Sequence, residues 1–136
     1  MAHISPLTAS LYVALGGGIG AVLRYQLGRA ITQAIGIQAA DAFPWGTLAA
    51  NVLGSCAMGL LFGWIAKTGI GEGETFRLFV GVGLLGGFTT FSAFSLETFQ
   101  LIERGQAGLA ATYIAVSVAA GVAALFVGLL TMRATA

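Results

Sequence analysis

Charge is scarce in this chain. Only 8% of its 136 residues are Asp, Glu, Lys or Arg, against roughly 25% in a soluble domain. With 57% hydrophobic residues and a mean hydropathy of +0.92, the composition excludes a water-soluble fold built on one core. Cysteine occurs once, at Cys56, so no intrachain disulfide can form and cysteine use says nothing about compartment. The solitary His3 makes no metal set. Carboxylates are scattered at Asp41, Glu72, Glu74, Glu97 and Glu103. They form no pair, and no nucleophile with a base accompanies them, so hydrolytic or kinase chemistry has no groups to use. A net charge of +1 provides no basic field for nucleic acid. Only His3 precedes the first apolar run, without the basic flank of a secretory signal, so that run reads as a retained helix.

What the chain has is length in apolar runs. They cover 7–27, 46–66, 78–101 and 109–132, each long enough to cross a bilayer as a helix. The connections 28–45, 67–77 and 102–108 are short. The expected fold is therefore all-α, a single membrane domain over 1–136 with four transmembrane helices. Glu72 and Glu74 are expected in one loop, Asp41 in another, and Glu103 at a span end. Four spans put Lys67, Arg77 and Arg133 on one face and Arg24, Arg29 and Arg104 on the other. Orientation normally follows an excess of Lys and Arg on the cytoplasmic side, and here there is none. Either one or two arginines fix a single orientation, or opposite insertions pair as an antiparallel dimer. Arg24 bears on the count because it falls inside the first run.

Glycine is abundant, with 21 residues. Gly16 with Gly20, and Gly59 with Gly63, keep the four-residue spacing that lets helices approach closely in lipid. Gly16, Gly18 and Ala21, with Asp41 downstream, imitate a dinucleotide fingerprint, but that motif needs a βαβ unit and has none here. In the second run Thr47, Asn51 and Ser55 share one helix face, as Tyr113, Ser117 and Gly121 do in the fourth. Asn51 is the costly member, serving either as interhelical glue or as part of a polar path.

The third run holds the main anomaly. Gly86 and Gly87 favour local unwinding, so the third helix is expected to break near mid-membrane. A break in the hydrocarbon persists only where protein or a water-filled cavity receives the freed backbone groups, and transport proteins build ion sites that way. Phe88, Phe91 and Phe94 alternate with Thr89, Thr90, Ser92 and Ser95. The stretch thus offers hydroxyl donors and positively polarised ring edges together, which suits an anion that must also leave. Glu97, near the end of the run, fits a vestibule or helix terminus better than a proton relay.

The segments GGGIGAVLRY (16–25), FPWGTLAANVLGS (43–55) and GGFTTFSAFS (86–95) resemble the small bacterial fluoride channels of the Fluc or CrcB family, a similarity extending over about residues 11–132. The resemblance implies a dual-topology homodimer in the bacterial inner membrane, with two antiparallel pores passing fluoride passively out of the cytoplasm. It implies Phe91 and Phe94 as the rings that contact the ion, and Asn51 as the residue that positions them and donates to the path. Thr90 and Ser95 would add hydroxyls, Tyr113 and Ser117 a track on the fourth span, and Thr47 and Glu97 a vestibule. Arg24 would draw anions to the entrance, and backbone carbonyls of Gly86 and Thr89 would hold a structural sodium ion. Gly121 departs from the pattern, since some relatives carry a serine there. Two other classes compete: a carrier of the small multidrug type, which would need a carboxylate in the first span, and a purely structural subunit.

Overall fold

Ser5 and Pro6 set the start of the first helix. In the computed structural model, which describes residues 4–68 and 74–134, the Ser5 hydroxyl accepts from the Thr8 N–H at 3.2 Å and Pro6 opens the helix. Proline's missing N–H costs nothing at that position. His3 and Glu72 lie outside the described residues. Helix α1 runs Pro6–Ile35 and stops at Gly36, whose φ of 86° suits a residue without Cβ. At 30 residues it is about 45 Å long. It therefore outruns the apolar stretch 7–27 and carries Arg29, which had been placed in a connection.

A short helix α2, Ile37–Ala42, leads to α3, Trp45–Thr68. The third span is composite. It comprises α4 (Glu74–Phe76), a π-helical segment π1 (Arg77–Leu85), α5 (Gly86–Phe88), two non-helical threonines, and α6 (Phe91–Glu103). The turn into α7, Ala107–Ala134, has the 6→1 and 5→2 hydrogen bonds of a Schellman cap, with Gly105 at φ 76°. Among the described residues there are no strands, and four helical stretches are long and apolar enough to cross a membrane.

Burial in the single chain is slight. Its buried hydrophobic residues are Ala50, Leu61, Leu85, Leu101, Ala110 and Tyr113, while most large apolar side chains point outward. Such an exterior is acceptable to lipid, where helices associate through packing and hydrogen bonds rather than by escaping water. The glycines provide that packing. A Cβ on Gly16 would strike the Phe79 carbonyl, and one on Gly20 the Leu84 carbonyl, so α1 lies backbone-to-backbone on π1 and α5. Gly59 and Gly63 do the same for α3 against Leu125, Leu129 and Met132 of α7, and Gly128 returns the contact at Cys56. These glycines are contact points, as their spacing suggested.

A matched pair of substitutions tests this packing. G20A puts a methyl into backbone and should lower stability by roughly 1–3 kcal/mol. G18A adds one to open space and should leave the thermal midpoint unchanged or raised. Thermal unfolding in detergent compares the two.

Candidate functional site

The helix is interrupted at Thr89 (φ −83°, ψ 159°) and Thr90 (φ −153°, ψ 119°), not at the glycine pair. Gly86 and Gly87 belong to the helical turn α5. Gly87 is there because a Cβ would collide with the Gly17 backbone. Helix contact, rather than backbone freedom, accounts for it.

Asn51 on α3 closes the gap. Its Nδ2 donates to the Thr90 carbonyl at 3.1 Å, and its Oδ1 accepts from the Thr90 N–H at 2.8 Å. One carboxamide thus stands in for both lost backbone partners. The Thr90 hydroxyl accepts from the Ala93 N–H at 3.2 Å and caps α6. In a continuous helix those two N–H groups would bond the carbonyls of Gly86 and Thr89, four residues earlier. Diverting them to side-chain oxygens releases both carbonyls. Gly54, one turn beyond Asn51, leaves room for the Thr89 methyl, which a Cβ there would strike.

Around the break lies a cavity of about 270 Å³ lined by Asn51, Ser55, Thr89, Thr90 and Phe91 among others. The first turn of α6 presents unpaired N–H groups and the positive end of a helix dipole. Phe91 is 80% exposed on the single chain. Its ring lies 5.6 Å from Phe94, centroid to centroid, and Phe94 lies 5.2 Å from Tyr113. Phe88 is not part of this group, since it packs by Gly54 of α3.

Glu97 joins three spans. Thr47 donates to its Oε1 at 2.6 Å and Tyr113 to its Oε2 at 2.7 Å. An open depression of about 980 Å³ reaches Glu97 and Thr47 from the side of Arg24, Arg29 and Trp45. Arg24 donates through Nε to the Gly87 carbonyl at 3.3 Å, next to the break. Ser95 is exposed and donates back to the Phe91 carbonyl at 2.9 Å. Ser117, one turn beyond Tyr113, has the only buried side-chain oxygen or nitrogen without a hydrogen-bond partner among the described residues. Gly121 continues that face, and the Ser55 hydroxyl lies 3.7 Å from where its Cβ would be. A hydroxyl from α3 faces the position where α7 lacks one.

The family model described as CrcB-like protein, Camphor Resistance (CrcB), matches residues 11–129. The chain belongs to the CrcB family. A protein of Novosphingobium aromaticivorans named fluoride-specific ion channel FluC is 59% identical over 96% of this chain and all of its own length. A protein of the same name from Erythrobacter litoralis is 53% identical over 98% of each chain. One from Caulobacter vibrioides is 47% identical over 90% of this chain and 94% of its own. These relatives are named as channels, not as enzymes.

On this CrcB-family chain the structure gathers Asn51, Thr90 and Phe91 at the break, and Thr47, Glu97 and Tyr113 in one hydrogen-bonded group. Arg24 lies beside the break. The sequence reading missed Phe43, which meets Tyr113 edge-on at 5.4 Å, and Arg104, whose Nη1 donates to the Asp41 carbonyl at 3.0 Å. An aromatic residue directly before Pro44 was the available signal for Phe43. N51A leaves both polar groups of Thr90 unpaired and should cost roughly 1–3 kcal/mol for each orphaned group. A lower thermal midpoint together with faster hydrogen exchange at the Thr90 amide is the expected result.

Proposed function

We propose that this chain is a fluoride-selective channel, letting fluoride leave the cytoplasm passively across the bacterial inner membrane. It works as an antiparallel homodimer of two oppositely inserted copies. The observation that carries this reading is the Asn51–Thr90 pairing, which keeps α6 capped and separate so that its N-terminal donors open on a cavity beside Phe91. Fluoride is small and strongly hydrated, so a path must replace its water with several short donors. The first turn of α6, the Ser117 hydroxyl and the positively polarised edges of Phe91 and Phe94 supply such groups without a fixed cation to trap the ion. The names of the relatives select fluoride among small anions.

The dimer reading rests on two features. Lys and Arg are balanced between the faces, and the break opens outward: Gly86 is exposed and Phe91 nearly so in full. Thr89 and Thr90 lie near the middle of the Glu74–Glu103 span, and irregular backbone facing lipid at that depth does not occur. A second copy covers it. The freed carbonyls of Gly86 and Thr89 fit a hard cation such as sodium, which prefers oxygen donors. Bound there, it would add positive charge at the dimer centre, hospitable to anions. A proton-coupled carrier lacks its key group, since the first span contains no carboxylate.

Liposomes containing purified protein should release fluoride, read with a fluoride electrode, and retain chloride. Replacing both Phe91 and Phe94 with isoleucine should abolish the release; persistence of flux would remove these rings from the path. A cysteine tag at either terminus should label from both sides of the membrane in intact cells. Labelling from one side alone would end the dual-topology reading.

A further inference from the structure

Five rings form an unbroken line through the chain. Trp45 lies 4.6 Å from Phe43, Phe43 lies 5.4 Å from Tyr113, Tyr113 lies 5.2 Å from Phe94, and Phe94 lies 5.6 Å from Phe91. The line starts at the first residue of α3, passes through Phe43 in the connection between α2 and α3, and ends at the pair beside the break. Phe43 is its outer joint. Its backbone is extended (φ −151°, ψ 140°), and its carbonyl accepts from the Trp45 N–H at 2.8 Å. Its ring meets Tyr113 at an interplanar angle of 80°, an edge-to-face contact.

Tyr113 has no exposed surface and sits in the one cluster of Leu101, Ala110 and Tyr113 against which Phe43 and Phe94 pack. With the ring at its present tilt its hydroxyl donates to Glu97 at 2.7 Å. Phe94 supports the ring from the side of the break and Phe43 from the side of the connection. The last turn of α2, which leads into Phe43, is itself held, because Arg104 at the end of α6 donates to the Asp41 carbonyl. Loss of either support leaves Tyr113 free to turn within its rotamer well and lengthen its bond to Glu97.

We propose that Phe43 is a positioning residue for conduction: it wedges Tyr113 so that the hydroxyl stays on Glu97, while Arg104 pins the end of α2 that leads into Phe43. The inference rests on the channel reading above. It assigns conduction-setting work to a residue of the connection between α2 and α3.

The test is a double-mutant cycle on fluoride efflux from liposomes, with full-length protein. F43L should lower flux roughly three- to tenfold, the scale of one edge-to-face ring contact. Y113F, which removes the hydroxyl, should lower it by at least as much. If Phe43 acts through that hydroxyl, the double variant F43L/Y113F falls no further than Y113F, within about twofold. F43Y keeps a ring in place and should stay within about twofold of the unsubstituted protein. Unchanged flux in F43L, or single losses that multiply in the double variant, would overturn the proposal, since a residue that merely fills space would act independently of the hydroxyl. Should F43L fail to yield folded protein, R104Q and R104Q/Y113F run the same cycle with every ring present and are judged by the same criterion. Absence of fluoride flux in the unsubstituted protein would instead sink the channel reading, and this inference with it.

Discussion

The Asn51 carboxamide meets both the N–H and the C=O of Thr90, and the rest of the third span is arranged around that pairing. A buried donor or acceptor left without a partner costs about 1–3 kcal/mol, and more where lipid rather than protein surrounds it. Here one side chain satisfies the peptide at the gap, and the Thr90 hydroxyl satisfies the first turn that follows. Close approach is the condition for both. Gly54 lets the third span settle on α3 at the level of Asn51, while Gly16, Gly20 and Gly87 let α1 press on it from the other side.

Charged groups are kept to the margins of this arrangement. Arg24 is engaged with the Gly87 carbonyl, Arg29 lies 5.8 Å above the Tyr25 ring, and Glu97 is held by two hydroxyls. Apart from the Arg24 guanidinium, the groups at the break are neutral: amide hydrogens, hydroxyls and ring edges. Full charges bind ions strongly and release them slowly, whereas dipoles can replace a hydration shell and still let the ion go.

Much of this was legible in the sequence, for identifiable reasons. Bilayer-length apolar runs announce helices regardless of detail, and Asn51 stood out because an amide at that depth is costly without a partner. Glu97 drew notice as the carboxylate nearest membrane depth, but its two hydroxyl partners come from spans far apart in the chain and no local pattern encodes them. The break was placed two or three residues early because Gly86 and Gly87 suggest backbone freedom, whereas tertiary contact with Gly17 is what demands Gly87. The end of α1 was misjudged because hydropathy falls at Arg24 and Arg29 while helix propensity does not. Phe43 lies in a connection with no periodicity to read, so its contact with Tyr113 emerges only from the fold.

The π-helical stretch Arg77–Leu85 bears on all of this from a distance. Each of its hydrogen bonds reaches one residue further along the chain than in an α-helix, so everything beyond it is rotated in phase relative to an ordinary helix. Gly83 meets Gly16 in this phase, and Thr90 meets Asn51. Shortening the stretch by a single residue would swing the downstream half of the span around its own axis, turning the gap away from its carboxamide without altering either. In descent, this segment should therefore tolerate exchange of side chains far more readily than any change in their number.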